Sequence, residues 1–181
     1  MRLQWQMWDS IISENEVDAL VKKLDELPMK EAGVSASGNK DEKIRSSSVS
    51  FVSDPQIKAN LRVFIEQANR SVFGFDLSTY SEVQYTKYFA EQNGHYGWHE
   101  DVLWDSSNMS DRKLSMTVQL SNSEDYKGGD FEFQGVQQPP SSKRNKGTVL
   151  VFPSYLVHRV TPVTEGTRKS LVAWFEGPRW R

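Results

Sequence analysis

From Thr79 to the C-terminus, apolar side chains recur at every second position in short runs broken by Gly, Pro, Asn and Ser. Val83, Tyr85, Lys87 and Phe89 alternate with Gln84, Thr86, Tyr88 and Ala90, a pattern of a strand with both faces partly covered. Leu114, Met116, Val118 and Leu120 alternate in the same way with Ser115, Thr117 and Gln119. A period of two belongs to a β-strand, because successive side chains point to opposite faces. Residues 131–133, 148–152, 158–160 and 167–175 extend the series, and Gly166 reads as a hairpin turn between the last two. Short strands punctuated in this way predict a sandwich or jelly roll.

The first third carries a different period. Ser13-Glu-Asn-Glu16 has the form of a capping box, and Val17, Leu20, Val21, Leu24 and Leu27 follow at helical spacing until Pro28. Asp54-Pro55 opens a second helix, through Ile57, Leu61, Phe64, Ile65 and Ala68 to Gly74. Residues 33–50 between them, rich in Ser, Gly, Asn and Lys, read as a loop. At 181 residues the chain is expected to be one domain, 1–181. Its class is α+β, mainly β: a helical N-terminal layer (1–78) packed on a jelly-roll core (79–181).

Composition narrows the chemistry. There is no cysteine, which excludes disulfides, zinc fingers, iron–sulfur clusters and cysteine nucleophiles, and suits a reducing, cytoplasmic location. The formal charge of −2 argues against a phosphate-backbone binder. No apolar run approaches a membrane span, and the N-terminus alternates instead of forming an apolar signal core. With three histidines in the chain, a His-ligated metal must be built from His95, His99 and His158 plus carboxylates.

His99-Glu100-Asp101 puts an imidazole and a carboxylate on one side of an extended segment. Alone, that spacing also fits two polar residues near a turn, and a lone His158 fits a core histidine. Together the three form two histidines and a carboxylate, the facial set of non-haem Fe(II) oxygenases. Zinc hydrolases draw a similar set from a helical His-Glu-x-x-His, which this chain lacks. Arg168 follows His158 by ten residues. A planar guanidinium there could pair bidentately with a carboxylate, or could be a surface arginine on the last strand.

On these residues the stretch from Tyr85 to Pro178 resembles the prolyl 4-hydroxylase-like branch of the Fe(II)/2-oxoglutarate-dependent dioxygenases, and within it the PKHD-type hydroxylases. The resemblance is carried by Tyr88 with His99-x-Asp101, by residues 112–120, by Tyr126-Lys-Gly-Gly-Asp-Phe-Glu-Phe133, by residues 146–153 and 158–163, and by residues 166–174. It implies a double-stranded β-helix with iron held by His99, Asp101 and His158. Arg168 would grip the distal carboxylate of 2-oxoglutarate, helped by Tyr88. Gln119 stands where some relatives carry a second tyrosine. Tyr96 and Trp174 occupy places that border the target residue, and Tyr96, Trp98, Phe152 and Trp174 could form a dry wall.

The implied activity is hydroxylation of an unactivated C–H bond in a proline-containing protein or peptide, using dioxygen and releasing succinate and CO2, with ascorbate as a candidate reductant. The alternatives are a lysyl residue, nucleobase or small molecule as substrate, or a non-catalytic 2-oxoglutarate/iron sensor. Residues 103–111, directly after the metal ligands, are expected to close over substrate. His95 has no assigned role and reads as a turn residue or a contact near the site.

Overall fold

The computed structural model describes residues 3–33, 41, 43–102, 104 and 109–181. In chain order the elements are β1 (Gln6–Trp8), α1 (Glu14–Asp25), β2 (Lys30–Glu31), β3 (Arg45–Ser46), β4 (Ser48–Phe51), α2 (Pro55–Ala68) and β5 (Ser81–Phe89). There follow β6 (His95–His99), β7 (Ser110–Gln119), β8 (Tyr126–Gly128), β9 (Phe131–Phe133), β10 (Val149–Pro153), β11 (His158–Val160) and β12 (Val163–Pro178). The major sheet runs β1-β10-β7-β12-β5-β4-β2, with β8 paired to β12; the minor sheet runs β3-β6-β11-β9. This is the two-sheet jelly-roll architecture that the alternation predicts.

Both helices begin where the capping residues require. The Ser13 backbone N–H donates to Glu16 Oε2 (3.0 Å) and the Glu16 N–H donates to Ser13 Oγ (3.4 Å). The Asp54 carboxylate accepts from the N–H groups of Gln56 and Ile57 at 2.8 and 3.1 Å, ahead of Pro55 at the first helical position. After Ala68 a single π-helical turn, Asn69–Phe73, carries the chain to Gly74 at φ +70°.

Parity on the major sheet divides two cores. Val83 and Tyr85, Leu114, Met116 and Val118, Val149 and Val151, and Leu171, Ala173 and Phe175 pack with Val17 and Leu24 of α1 and Ile57, Leu61 and Ile65 of α2. Residues of the other parity face the minor sheet, where Tyr88, Leu150 and Phe152 meet Phe131, Phe133 and Val160. Both faces of the central strands are therefore covered, as the sequence of β5 implies.

Three expectations change. Residues 33–50 are not simply a loop: β3 joins the minor sheet beside β6, and β4 joins the major sheet beside β5. The first 78 residues supply β1 as well, paired to β10, so the N-terminal layer is not purely helical. The expected hairpin at Gly166 is absent, because β12 runs unbroken from Val163 to Pro178. Gly166 (φ +70°) lies where β12 passes from pairing with β8 to pairing with β5, and a Cβ there would lie 2.0 Å from the Asp125 carbonyl oxygen. Its glycine signal marks a bulged crossing of strands, not a turn. The expected closing segment at 103–111 has residues 103 and 105–108 outside the described residues. Among the described residues, no helix is long and apolar enough to cross a membrane.

Asp25, at the end of α1, ties helix to sheet. It accepts from Tyr85 Oη (2.6 Å), Lys87 Nζ (2.7 Å) and Lys169 Nζ (2.8 Å). Lys87 and Lys169 face each other across β5 and β12, an arrangement of like charges that costs stability unless neutralised. Burial raises the Asp25 pKa, but bonds from Lys169, Lys87 and Tyr85 outweigh it and bring the value down to about 2. Because the folded value is depressed, this carboxylate stabilises the fold above its unfolded pKa of about 4 and loses that contribution as pH falls through about 2. Asp25→Asn is expected to lower stability at neutral pH by about 1 kcal/mol, solvent screening keeping it small. The variant should also flatten the acid limb of stability between about pH 4 and 2, measured by urea midpoints across pH.

Candidate metal centre and pocket

β6 and β11 pair antiparallel, with His158 directly opposite His99 and Val160 opposite Tyr96. Between those two pairs Gly97 and Trp98 face Arg159 alone, a β-bulge. Regular alternation would put Tyr96 and His99, three apart, on opposite faces. The bulge brings both to the pocket, where their rings stack at 3.4 Å between centroids and 14° between planes. Gly97 also donates its N–H to the carbonyl of Ile44, just ahead of β3 (2.7 Å).

Asp101 follows β6 and is held by β7 and the end of β10. Its N–H donates to the Ser154 carbonyl (2.8 Å). Its Oδ2 accepts from Ser115 Oγ at 2.6 Å, and Ser115 lies 2.9 Å from the Ser154 hydroxyl. His99 Nε2 is 3.8 Å from Asp101 Oδ1, and His158 Nε2 is 3.7 Å from Asp101 Oδ2. Those separations are too long for hydrogen bonds. The ligand atoms of all three lie within 4.8 Å of one another, so they can hold a metal ion.

Each imidazole is set by the carbonyl two residues before it. His99 Nδ1 lies 2.8 Å from the Gly97 oxygen and His158 Nδ1 lies 2.8 Å from the Leu156 oxygen. A carbonyl can only accept, so Nδ1 carries a proton and Nε2 is the ring atom turned to the centre. Burial, with the neighbouring His158, pushes the His99 pKa down to about 3. Burial acts to raise Asp101, but His158, His99 and the Ser115 hydroxyl together hold it below its ordinary value. A neutral His99 imidazole and an ionised Asp101 carboxylate are donor states that a divalent ion requires. Phe152 and Phe131 pack against His158 at 4.8 and 5.3 Å between centroids, walling this end with hydrocarbon.

The same pocket is lined by Tyr88, Tyr96, Arg168 and Trp174. Arg168 is buried (4% exposed) with its guanidinium 5.6 Å from the Tyr88 ring centroid. Among the described residues, no hydrogen bond or ion pair engages that guanidinium. A Cβ on Gly129 (φ +62°) would lie 3.1 Å from Arg168 Cδ and 3.2 Å from Tyr126, so a glycine there leaves room for the arginine stem. Trp174 Nε1 is buried without a hydrogen-bond partner, and the Arg112 guanidinium stacks on its ring at 4.0 Å while pairing with Glu82 at 2.7 Å.

The remaining candidates lie outside this cluster. Gln119 gives its amide to Tyr126 Oη (3.0 Å) and the Ser121 carbonyl (3.2 Å), beside the pocket and not in its wall. Trp98 faces outward, 43% exposed beneath Arg159, because the bulge turns it away; the expected dry wall lacks it. His95 opens β6, its ring against the Asn93 and Lys43 carbonyls. Sequence reasoning missed Ser115, Arg112 and Arg45, whose guanidinium lies 4.4 Å over the Tyr96 ring in the pocket wall. The parity of Ser115, shared with Thr117 and Gln119 on the inner face, is the signal that could have found it.

The fold and this site define a jelly-roll oxygenase with a His-Asp-His metal group. Residues 83–176, just over half the chain, match the model of the 2OG-Fe(II) oxygenase superfamily, and the chain belongs to that family. A PKHD-type hydroxylase of Synechococcus sp. (strain CC9311) is 38% identical over 86 residues, 48% of this chain, and the match spans 38% of that relative's length. Among solved structures, a Pseudomonas putida prolyl-4-hydroxylase is similar over 97% of this chain and 93% of its own, with TM-score 0.72 and 22% identity. A Trichoplax adhaerens prolyl hydroxylase, solved with a hypoxia-inducible-factor peptide fragment, has TM-score 0.72 and 15% identity over 95% of this chain and 83% of its own.

Ser115→Ala removes the donor to a buried carboxylate. The variant is expected to lose about 1–3 kcal/mol of stability at neutral pH, read as a lower urea midpoint. An unchanged midpoint would mean that Ser115 does not hold Asp101.

Proposed function

We propose that this chain is an Fe(II)- and 2-oxoglutarate-dependent dioxygenase that hydroxylates an unactivated C–H bond of a prolyl residue in a protein or peptide, releasing succinate and CO2. The observation that carries the reading is one pocket holding three nitrogen and oxygen metal donors and a buried arginine with no hydrogen-bond or ion-pair partner for its guanidinium among the described residues. The family supplies the class of cofactor and cosubstrate.

In this reading His99, Asp101 and His158 hold Fe(II), a two-histidine, one-carboxylate set that leaves coordination positions open. Bound iron supplies the activation of dioxygen, chemistry that no amino-acid side chain provides. The protein's own part is orientation and exclusion of water. The Gly97 and Leu156 carbonyls fix the two imidazoles and Ser115 fixes the carboxylate. Arg168 binds the distal carboxylate of 2-oxoglutarate. A buried cation without a partner is costly, and a dicarboxylate removes that cost when it binds. Tyr88 adds its phenol to the same end. Gln119 acts at one remove, through the Tyr126 hydroxyl that receives its amide proton.

Tyr96 and Trp174 face the target residue. The unpartnered Trp174 indole N–H matches a backbone carbonyl, which every peptide offers. Phe131 and Phe152 keep the metal end dry. The structural neighbours are prolyl hydroxylases, which favours proline, and one of them was solved with a peptide fragment. Ascorbate would be the reductant in this reading.

The test is turnover with Fe(II), 2-oxoglutarate, dioxygen and proline-containing peptides. Succinate is expected in step with the gain of one oxygen atom on proline, followed by mass spectrometry. Asp101→Ala and His158→Ala should abolish both products. Arg168→Ala should raise the 2-oxoglutarate requirement roughly hundredfold, the scale of a lost charge-assisted bidentate pair. Wild-type succinate formation in the His158→Ala protein would overturn the metal assignment. Oxygen gained on a residue other than proline would keep the chemistry and reject the substrate.

A further inference from the structure

A second set of polar atoms faces the pocket from the inner side of the major sheet. Gln84 on β5 lies opposite Val172 on β12, which lies opposite Thr117 on β7; Ser170 is one inward position along β12 from Val172. All four line the pocket. Gln84 is 5% exposed and donates its amide to Thr86 Oγ1 at 2.9 Å, Thr86 itself being fully buried. Among the described residues that is the only hydrogen bond of the Gln84 side chain, and the Thr117 and Ser170 hydroxyls have none. One amide proton and one amide oxygen of Gln84 and the two hydroxyls are therefore available to a ligand in the pocket.

A wall needed only for dryness would carry leucine or methionine at these positions. The position of the set says what it faces. Thr117 is two residues from Ser115, which holds Asp101, and Ser170 is two residues from Arg168. The Gln84–Val172–Thr117 row thus lies between the metal group and the arginine, nearer the metal.

We propose that Gln84, with Thr117, is a cosubstrate-binding pair that hydrogen-bonds the metal-proximal carboxylate of the bound 2-oxo acid while Arg168 takes the distal one. The proposal rests on the 2-oxoglutarate reading above. Thr86 fixes the Gln84 amide so that its second N–H points to the ligand, and Thr117 donates its hydroxyl from the adjacent strand. Two neutral donors here add attraction for a carboxylate without the desolvation cost of a second buried cation.

The experiment measures binding without turnover, by calorimetry of 2-oxoglutarate into the full chain loaded with Mn(II). Gln84→Leu should weaken affinity roughly tenfold, the value of one hydrogen bond to a charged group. Gln84→Glu, of the same shape but facing one carboxylate with another, should weaken it further, and decides the matter should the leucine variant fail to fold. Mn(II) affinity without 2-oxoglutarate should stay at the wild-type value in both. Unchanged 2-oxoglutarate affinity in Gln84→Leu and Gln84→Glu, with affinity lost in Arg168→Ala, would overturn this assignment alone. Absence of 2-oxoglutarate binding by the wild-type protein would instead overturn the functional reading on which it rests.

Discussion

The antiparallel pairing of β6 with β11 is the constraint from which the rest of the site follows. It sets His99 opposite His158, and the bulge at Gly97 and Trp98 then rotates Tyr96 onto the same face. Two imidazoles, 4.2 Å apart between centroids, are both locked by the carbonyl two residues earlier in their own chain. Because that lock is local to each strand, the donor direction of each ring depends on its own backbone, and the pairing sets how the two rings face each other. Asp101 then completes the set from the first turn beyond β6, where Ser154 and Ser115 hold its backbone and its carboxylate separately.

The major sheet separates structural work from chemical work by parity. On β12, Leu171, Ala173 and Phe175 face the helices, while Arg168, Ser170, Val172 and Trp174 face the pocket. β5 divides in the same way, with Val83 and Tyr85 outward to α1 and α2 and Gln84 and Tyr88 inward. The outer face is apolar and close-packed, which ties the strands to α1 and α2 and makes them rigid. Side chains on the inner face inherit that rigidity without contributing to the main core. This division keeps binding groups in fixed positions, the condition under which prearranged polar groups act on a ligand.

How far this was legible in the sequence depends on which interactions are local. The two helix starts, the strand periods and the metal residues could be read, because caps, alternation and ligand types are properties of a few adjacent residues. The strand β4 could not, since Ser48-Val-Ser-Phe51 is too polar to stand out and is a strand because β5 offers it an edge. Gly166 misled for a related reason: a positive φ serves a turn and a bulged strand equally, and only the approach of Asp125 decides between them. Gln119 was legible as an inward residue but not as one occupied by Tyr126, a contact set by how β7 and β8 meet. Trp98 failed likewise, because parity counted along β6 does not survive a bulge.

The groups that the inner face leaves unpaired also say how stability and binding are linked. The buried indole N–H of Trp174, which has no partner, destabilises the empty fold. Apolar burial against α1 and α2 offsets that cost, so the pocket can remain underbonded while the chain stays folded. Any ligand that satisfies those groups then stabilises the folded state in proportion to its affinity, by mass action. A pocket filled by its own side chains would be more stable empty and would bind less. In this fold the polar inner face is therefore the part on which selection for binding and selection for stability oppose each other, while the helix-facing side carries no such conflict.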